Sequence, residues 1–235
     1  MFLQKNISGT NIPFLDFFAM IENEFQKIGF KKISQSAHDI TLKKGNIKII
    51  FTMAVISSDT KFLVNFYYND ISLLATDMVL SIGSTYISVN TGLVKQIDIN
   101  FKIIQTGSSY YIYIKNNILS SQIYFIYTSI YDIETEENTN SLFIIKQGSS
   151  TPTYTMNTGE TVTINTILNG DSLPEELAGQ TILIDGANPI VEINNSTYGT
   201  LKDLQILVGT EFGQVYLLND NDKYISFGDY GLKID

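Results

Sequence analysis

Ile97-Asp98-Ile99-Asn100-Phe101-Lys102-Ile103, the turn Gly107-Ser108-Ser109, Tyr110-Tyr111-Ile112-Tyr113-Ile114-Lys115, the turn Asn116-Asn117 and Ile123-Tyr124-Phe125-Ile126-Tyr127 together decide the fold. The first run alternates apolar and polar residues without a slip, and the later runs are β-branched and aromatic. A period of two places successive side chains on opposite faces, so the stretch predicts an antiparallel meander with one buried face. Alternation puts Tyr111 and Tyr113 on one face and Tyr110 with Ile112 on the other. One set then belongs to the core. The other set is expected to be partly exposed, and exposed tyrosine is enriched at protein contacts and against sugars. The candidate interface residues are therefore Tyr110, Tyr111, Tyr113, Tyr124 and Tyr127. Cross-strand aromatic packing inside the sheet is the alternative reading of the same side chains.

Before the meander the period changes. Phe14, Phe17, Phe18, Ile21, Phe25 and Ile28 follow helical spacing and form one stripe. Thr10 or Asn11 can cap this helix, Pro13 suits its first turn, and Gly29 is a candidate C-cap. Asp16, Glu22 and Glu24 precede Lys27, Lys31 and Lys32, the order the helix dipole favours. Burying six large side chains is worth on the order of 10 kcal/mol before entropy, so the stripe must dock, most simply on a sheet. Strands are expected at 39–43, at 47–55 after the turn Lys44-Gly45-Asn46, at 61–68 and at 85–90. A helix followed by hairpins is an α+β arrangement.

After the meander, Asp132, Glu134, Glu136 and Glu137 open a polar run that continues to Ser141. It reads as an exposed linker or a long hairpin tip, and a domain boundary is expected there. The expected organisation is a helix plus antiparallel sheet over 1–131, a connector at 132–141 and a C-terminal β domain over 142–235. In the last segment Thr161 to Leu168 reads as a strand, Pro174 to Leu177 as a helical turn, and 180–184 and 190–193 as strands. Residues 214–218 and 223–227 read as a hairpin across Asn219-Asp220-Asn221-Asp222. This spacing predicts a small sandwich or barrel. The expected fold class is mainly β with one N-terminal helix.

The 235 residues suffice for one large β domain or two smaller ones. All basic residues are lysine, and heavy use of isoleucine and asparagine points to an AT-rich genome. Without arginine the chain lacks the bidentate fork that grips phosphate. Its net charge of −9 argues against nucleic acid and against anionic membrane surfaces. The absence of cysteine excludes disulfides, thiolate metal sites and cysteine nucleophiles. Met1 to Asn6 holds no continuous apolar run, and no apolar run anywhere reaches about 18 residues, so neither a secretory signal nor a transmembrane helix is expected. These features fit synthesis in a cytoplasm.

Residues for chemistry are scarce. His38 is the single histidine, and its neighbours Ser36 and Asp39 do not by sequence adjacency make a triad. One histidine without cysteine leaves a catalytic zinc site short of ligands. Paired carboxylates for glycoside cleavage are available, but the chain has no tryptophan platform. Asn219-Asp220-Asn221-Asp222 lacks the glycine and distal glutamate of a calcium loop, and reads as a turn. No catalytic residue, metal or cofactor is expected.

The first half resembles tailed-bacteriophage virion structural proteins. The resemblance lies in a short N-terminal segment, a helix containing Phe14-Leu15-Asp16-Phe17-Phe18 and ending near Gly29-Phe30, and a β-rich body. Within that body Phe101-Lys102-Ile103-Ile104-Gln105 leads through Gly107-Ser108-Ser109 into Tyr110-Tyr111-Ile112-Tyr113. It covers about half of the chain, and the C-terminal half is similar only loosely to other virion domains. The resemblance implies a non-enzymatic neck, collar, tail or baseplate component, made in the bacterial host cytoplasm and incorporated in the virion. Its partners would be other virion proteins and further copies of itself in a symmetric homo-oligomer. The alternative expectation is a host-surface or carbohydrate-binding adhesin module that contacts glycans through Tyr111 or Tyr113.

Overall fold

The chain is mainly β, with one N-terminal helix and several antiparallel sheets, and no barrel closes among the described residues. The computed structural model describes residues 2–56, 59–73, 78–80, 87–88, 92–106, 109–119, 121–132, 134–148, 152–158, 162–165, 182–183, 190–193, 196–201, 204–208, 214–218, 222–226 and 230–234. In chain order, β1 (Phe2–Pro13) leads into α1 (Phe14–Gln26). Next come β2 (Lys31–Gln35), β3 (Asp39–Lys44), β4 (Ile47–Ile56), β5 (Asp59–Tyr68), β6 (Ile71–Ser72) and β7 (Met78–Leu80). The meander region holds β8 (Ile87–Ser88), β9 (Leu93–Thr106), β10 (Ser109–Asn116), β11 (Ser121–Tyr131), β12 (Asn138–Gln147), β13 (Thr153–Met156) and β14 (Thr163–Asn165). The last strands are β15 (Ile182–Leu183), β16 (Ile190–Ile193), β17 (Ser196–Thr200), β18 (Gln205–Val208), β19 (Val215–Leu218), β20 (Asp222–Ser226) and β21 (Tyr230–Ile234). Strands β2 to β7 form a six-stranded sheet. A ten-stranded sheet joins β1 to β8–β14, β16 and β17, and a five-stranded sheet runs β15-β18-β21-β20-β19. The turn at 107–108, the helical turn at 174–177 and the tip at 219–221 lie outside the described residues, as do parts of the strands expected at 85–90, 161–168 and 180–184.

The helix stripe is buried throughout, Phe14 to Ile28, as its spacing predicts. It docks on the six-stranded sheet through Phe17 against Phe62 (5.4 Å between ring centroids) and Phe25 against Phe51 (5.4 Å), both edge-on. Its end is a Schellman motif. The Phe30 N–H donates to Phe25 O (3.1 Å) and the Gly29 N–H to Gln26 O (2.9 Å), with Gly29 at φ +86°. Its start differs from expectation. Thr10 and Asn11 do not cap it, because the chain stays extended to Pro13, pairing Phe2 with Ile104 through Pro13 with Leu93. Pro13 occupies the N-cap without a side-chain hydrogen bond, and the Phe14 N–H finds Gly92 O at 2.9 Å. Lys31 and Lys32 belong to β2; Lys32 reaches back to Glu22 (2.7 Å).

The central sheet departs from the expectation of one buried face. On one side Ile99, Phe101, Ile112, Phe125 and Phe143 join the helix stripe and the six-stranded sheet in a single core. On the other, Ile104, Tyr111, Tyr124, Ile126 and Ile144 pack with Val191, Leu201, Leu204, Ile225 and Leu232 from the C-terminal segment. The signal lies in Tyr110 to Ile114, an apolar run with no polar alternation, the mark of a strand covered on both faces. Across the first core, the Phe66 and Phe125 rings stack 4.2 Å apart and only 3° from parallel. Such stacked pairs add about 0.5–1.5 kcal/mol beyond their burial.

The segment 132–137 connects the two strands of a hairpin. β11 and β12 pair from Ile123 with Gln147 to Tyr131 with Asn138. Asp132 Oδ1 accepts from the Glu134 and Thr135 N–H groups (2.8 and 3.1 Å), and the Asp132 N–H donates to Glu137 O (2.9 Å). Residues 138–141 of the expected connector belong to β12, which delivers Phe143 and Ile145 to the first core. Further on, Gly199 lies where an added Cβ would sit 2.5 Å from Tyr131 O, so only glycine lets β17 approach β11.

Replacing Phe66 by Ala opens the seam between the two sheets and is expected to cost about 3–5 kcal/mol. Leu15→Ala on the exposed helix face is expected to stay within about 0.5 kcal/mol. Urea unfolding of the three proteins checks both; equal midpoints would contradict the layered core.

Candidate functional site

Where the six-stranded and ten-stranded sheets meet, a cleft of about 260 Å³ is lined by Lys44, Gly45, Asn46, Ile47, Tyr68, Tyr110 and Tyr127. The β3–β4 turn supplies its rim. Gly45 has φ +55°, a conformation that suits glycine, which lets Lys44 and Ile47 pair across a two-residue turn. Asn46 O accepts from the Asn69 N–H (3.0 Å), tying this turn to the next one. There Asn69 and Asp70 both take positive φ (49° and 65°), and Lys48 pairs with Asp70 at 2.6 Å. That hydrogen-bonded ammonium holds the Asp70 carboxyl below its ordinary range.

The floor is aromatic. The Tyr110 and Tyr127 rings lie 6.0 Å apart and 21° from parallel, and Tyr68 and Tyr127 lie 6.5 Å apart at 25°. Lys44 Nζ stands 4.4 Å over the Tyr110 ring and donates to Ile28 O at 2.6 Å, just past the helix C-terminus, where a cation is favoured. A Cβ on Gly29 would lie 3.3 Å from the Lys44 ammonium stem, so the glycine that ends the helix also makes room for this lysine. Tyr127 OH accepts from Ser141 Oγ (3.1 Å), and Asn46 Nδ2 lies 3.5 Å from Tyr68 OH. The lining offers the Lys44 ammonium, aromatic rings, tyrosine hydroxyls and the Asn46 amide, with no carboxylate among the lining residues.

Of the five tyrosines singled out, Tyr110 and Tyr127 meet in this cleft. Tyr111, Tyr113 and Tyr124 point the other way and are buried in the second core. Tyr110 itself is only 7% exposed, so the partly exposed set expected from alternation is reduced to Tyr127. The cause is the C-terminal cover, which the local pattern does not announce. Reading residues 97–131 missed Lys44, Asn46 and Tyr68. The available signal was Tyr67-Tyr68 ending a strand beside the Asn69-Asp70 turn.

Ser36, His38 and Asp39 form the β2–β3 turn. Ser36 Oγ accepts from the His38 and Asp39 N–H groups (3.1 Å each) and donates to the Asp39 carboxylate. The exposed His38 ring stands edge-on to Phe14 at 6.0 Å. The serine's hydroxyl thus serves the turn. Among the described residues no three His, Asp or Glu side chains are grouped to hold a metal ion, and no helix is long and apolar enough to cross a membrane. No protein-family model matches this chain, and no curated protein does.

Tyr113, whose hydroxyl hydrogen-bonds Gln122 Oε1 at 3.1 Å, is held well above the ordinary tyrosine range by burial. The folded protein keeps this proton after the unfolded chain has lost it, so its contribution to stability is complete below about pH 10 and falls as pH rises further. Lys102, held below its ordinary range by burial and then by Lys115, acts in the opposite direction as pH approaches 10.5. Tyr113→Phe is therefore expected to flatten the alkaline loss of stability relative to wild type. Unfolding midpoints followed against tyrosinate absorbance check this, and identical alkaline slopes would refute it.

Proposed function

We propose that this chain is a non-enzymatic structural component of a tailed phage or phage-tail-like particle, in its neck, collar, tail or baseplate. It would assemble there with other virion proteins as a symmetric homo-oligomer. The C-terminal strands are read as forming a small sandwich against the second face of the central sheet. The observation that carries the proposal is how the chain uses its side chains. Two cores on either side of one sheet take up most of the large apolar side chains among the described residues. What the sheets offer outward is edges and turns, beginning with the long edge strand β1, in which only Ile7 is fully buried. Edges and turns are what symmetric assemblies join. The resemblance of the first half to virion structural proteins supports the same reading. Mass spectrometry of purified particles from the host is expected to find the chain in fixed stoichiometry with tail or neck proteins; particles without it would end the proposal.

The tyrosine cleft favours a second reading, a host-surface or carbohydrate-binding adhesin. With Tyr111 and Tyr113 buried, the residues to test are Tyr68 and Tyr127. A glycan array is expected to give binding that falls roughly tenfold in Tyr68→Ala, since one ring contact is worth about a kcal/mol. An array without signal would remove this reading.

A further inference from the structure

β1 is an edge strand of 12 residues, and among the described strands it pairs with β9 alone. The outward side of its backbone therefore presents a row of N–H and C=O groups with no described strand beside it, a template for pairing with another chain. Gln4, Lys5, Asn6, Ser8, Thr10 and Asn11 are exposed, so solvent reaches along the strand. Other edges of the molecule are blunted. β2 has 5 residues and carries Lys31 and Lys32, β6 has 2 residues, and β13 has 4. Short edges and edge lysines resist pairing with a second chain. β1 has neither protection: Lys5 is its single charge, and no proline interrupts it before Pro13.

We infer that β1 pairs antiparallel with β1 of a second copy of this chain, across a two-fold axis at Asn6, so that the ten-stranded sheet continues through both molecules. The occupant follows from the strand's own pattern. Asn11 takes φ +53°, which ends the regular stretch at Thr10. The longest overlap of residues 2–10 with themselves centres on Asn6, and antiparallel partners share a face of the sheet. That register sets Asn6 against Asn6, Lys5 against Ile7, Gln4 against Ser8 and Leu3 against Gly9. An amide carries both donors and an acceptor, so two of them face to face are complementary. No two lysines meet. The chain has net charge −9, yet residues 2–13 include no carboxylate, so two copies approach here without setting acid against acid. Ile7, with Leu3 packed beside it, belongs to the first core, and the pairing carries that side of the sheet on into the partner. Because the same strand serves both copies, the contact is isologous and closes at a dimer. The inference deepens the assembly reading above and rests on it only for the expectation that copies associate. It is tested on the purified chain, so its failure leaves the particle result standing, and the reverse also holds.

Sedimentation velocity of the full chain is expected to show a monomer–dimer equilibrium. Asn6→Lys/Ser8→Lys changes only exposed side chains and puts lysine opposite lysine at the axis. The dimer should then weaken at least roughly tenfold while the thermal midpoint of the monomer holds. The chain has no cysteine, so a single introduced thiol reports its position. Under mild oxidation Asn6→Cys should link two copies. Gln4→Cys, whose two thiols would stand roughly 13 Å apart along the paired strands, should not. A wild-type chain that stays monomeric at high concentration would overturn the inference and leave the edge to a strand of another protein. So would a dimer unmoved by the lysine variant, or a Gln4→Cys chain that links as readily as Asn6→Cys.

Discussion

Burial of the central sheet on both faces is the constraint on which the rest depends. Strands β9 to β12 hold apolar side chains above and below, so neither face is stable until something covers it. One face is covered by α1 and the six-stranded sheet, with Phe66 stacked on Phe125 at the contact. The other is covered by the C-terminal segment, which brings Val191, Leu204 and Leu232. Within the central sheet the β11–β12 hairpin pairs Ile123 with Gln147 through Tyr131 with Asn138.

The cleft follows from this layering. The cleft lies where the two sheets meet, and beside it the helix-ending glycine leaves space for Lys44 to reach across to Tyr110. It is built on paired strands and tight turns, which gives its side chains fixed positions.

Much of this was legible locally. The helix stripe is buried residue for residue, because a 3.6-residue period can be satisfied by one face alone. The strands expected at 39–43, 47–55 and 61–68 are present as β3, β4 and β5, with Lys44 paired to Ile47 across the turn read at Gly45. The strand β1 was not legible. It lies at the sheet's edge, exposes most of its side chains and so carries no hydrophobic period. The helix cap was misplaced for the same reason: Thr10 is already paired with Gln96. Of the site, Tyr110 and Tyr127 could be named in advance, while Lys44 and Tyr68 could not, since they come from a different sheet.

By itself the sequence determined the elements whose stability is local: one amphipathic helix, the antiparallel ladders and the turn at Gly45. It also determined the charge balance and the shortage of residues for chemistry. Only the tertiary structure decided which face of each strand meets which neighbour. That choice put both tyrosine sets in cores and placed Tyr110 beside Lys44. The physical reason is that alternation separates two faces of a strand but does not say whether the second is met by water or by another layer.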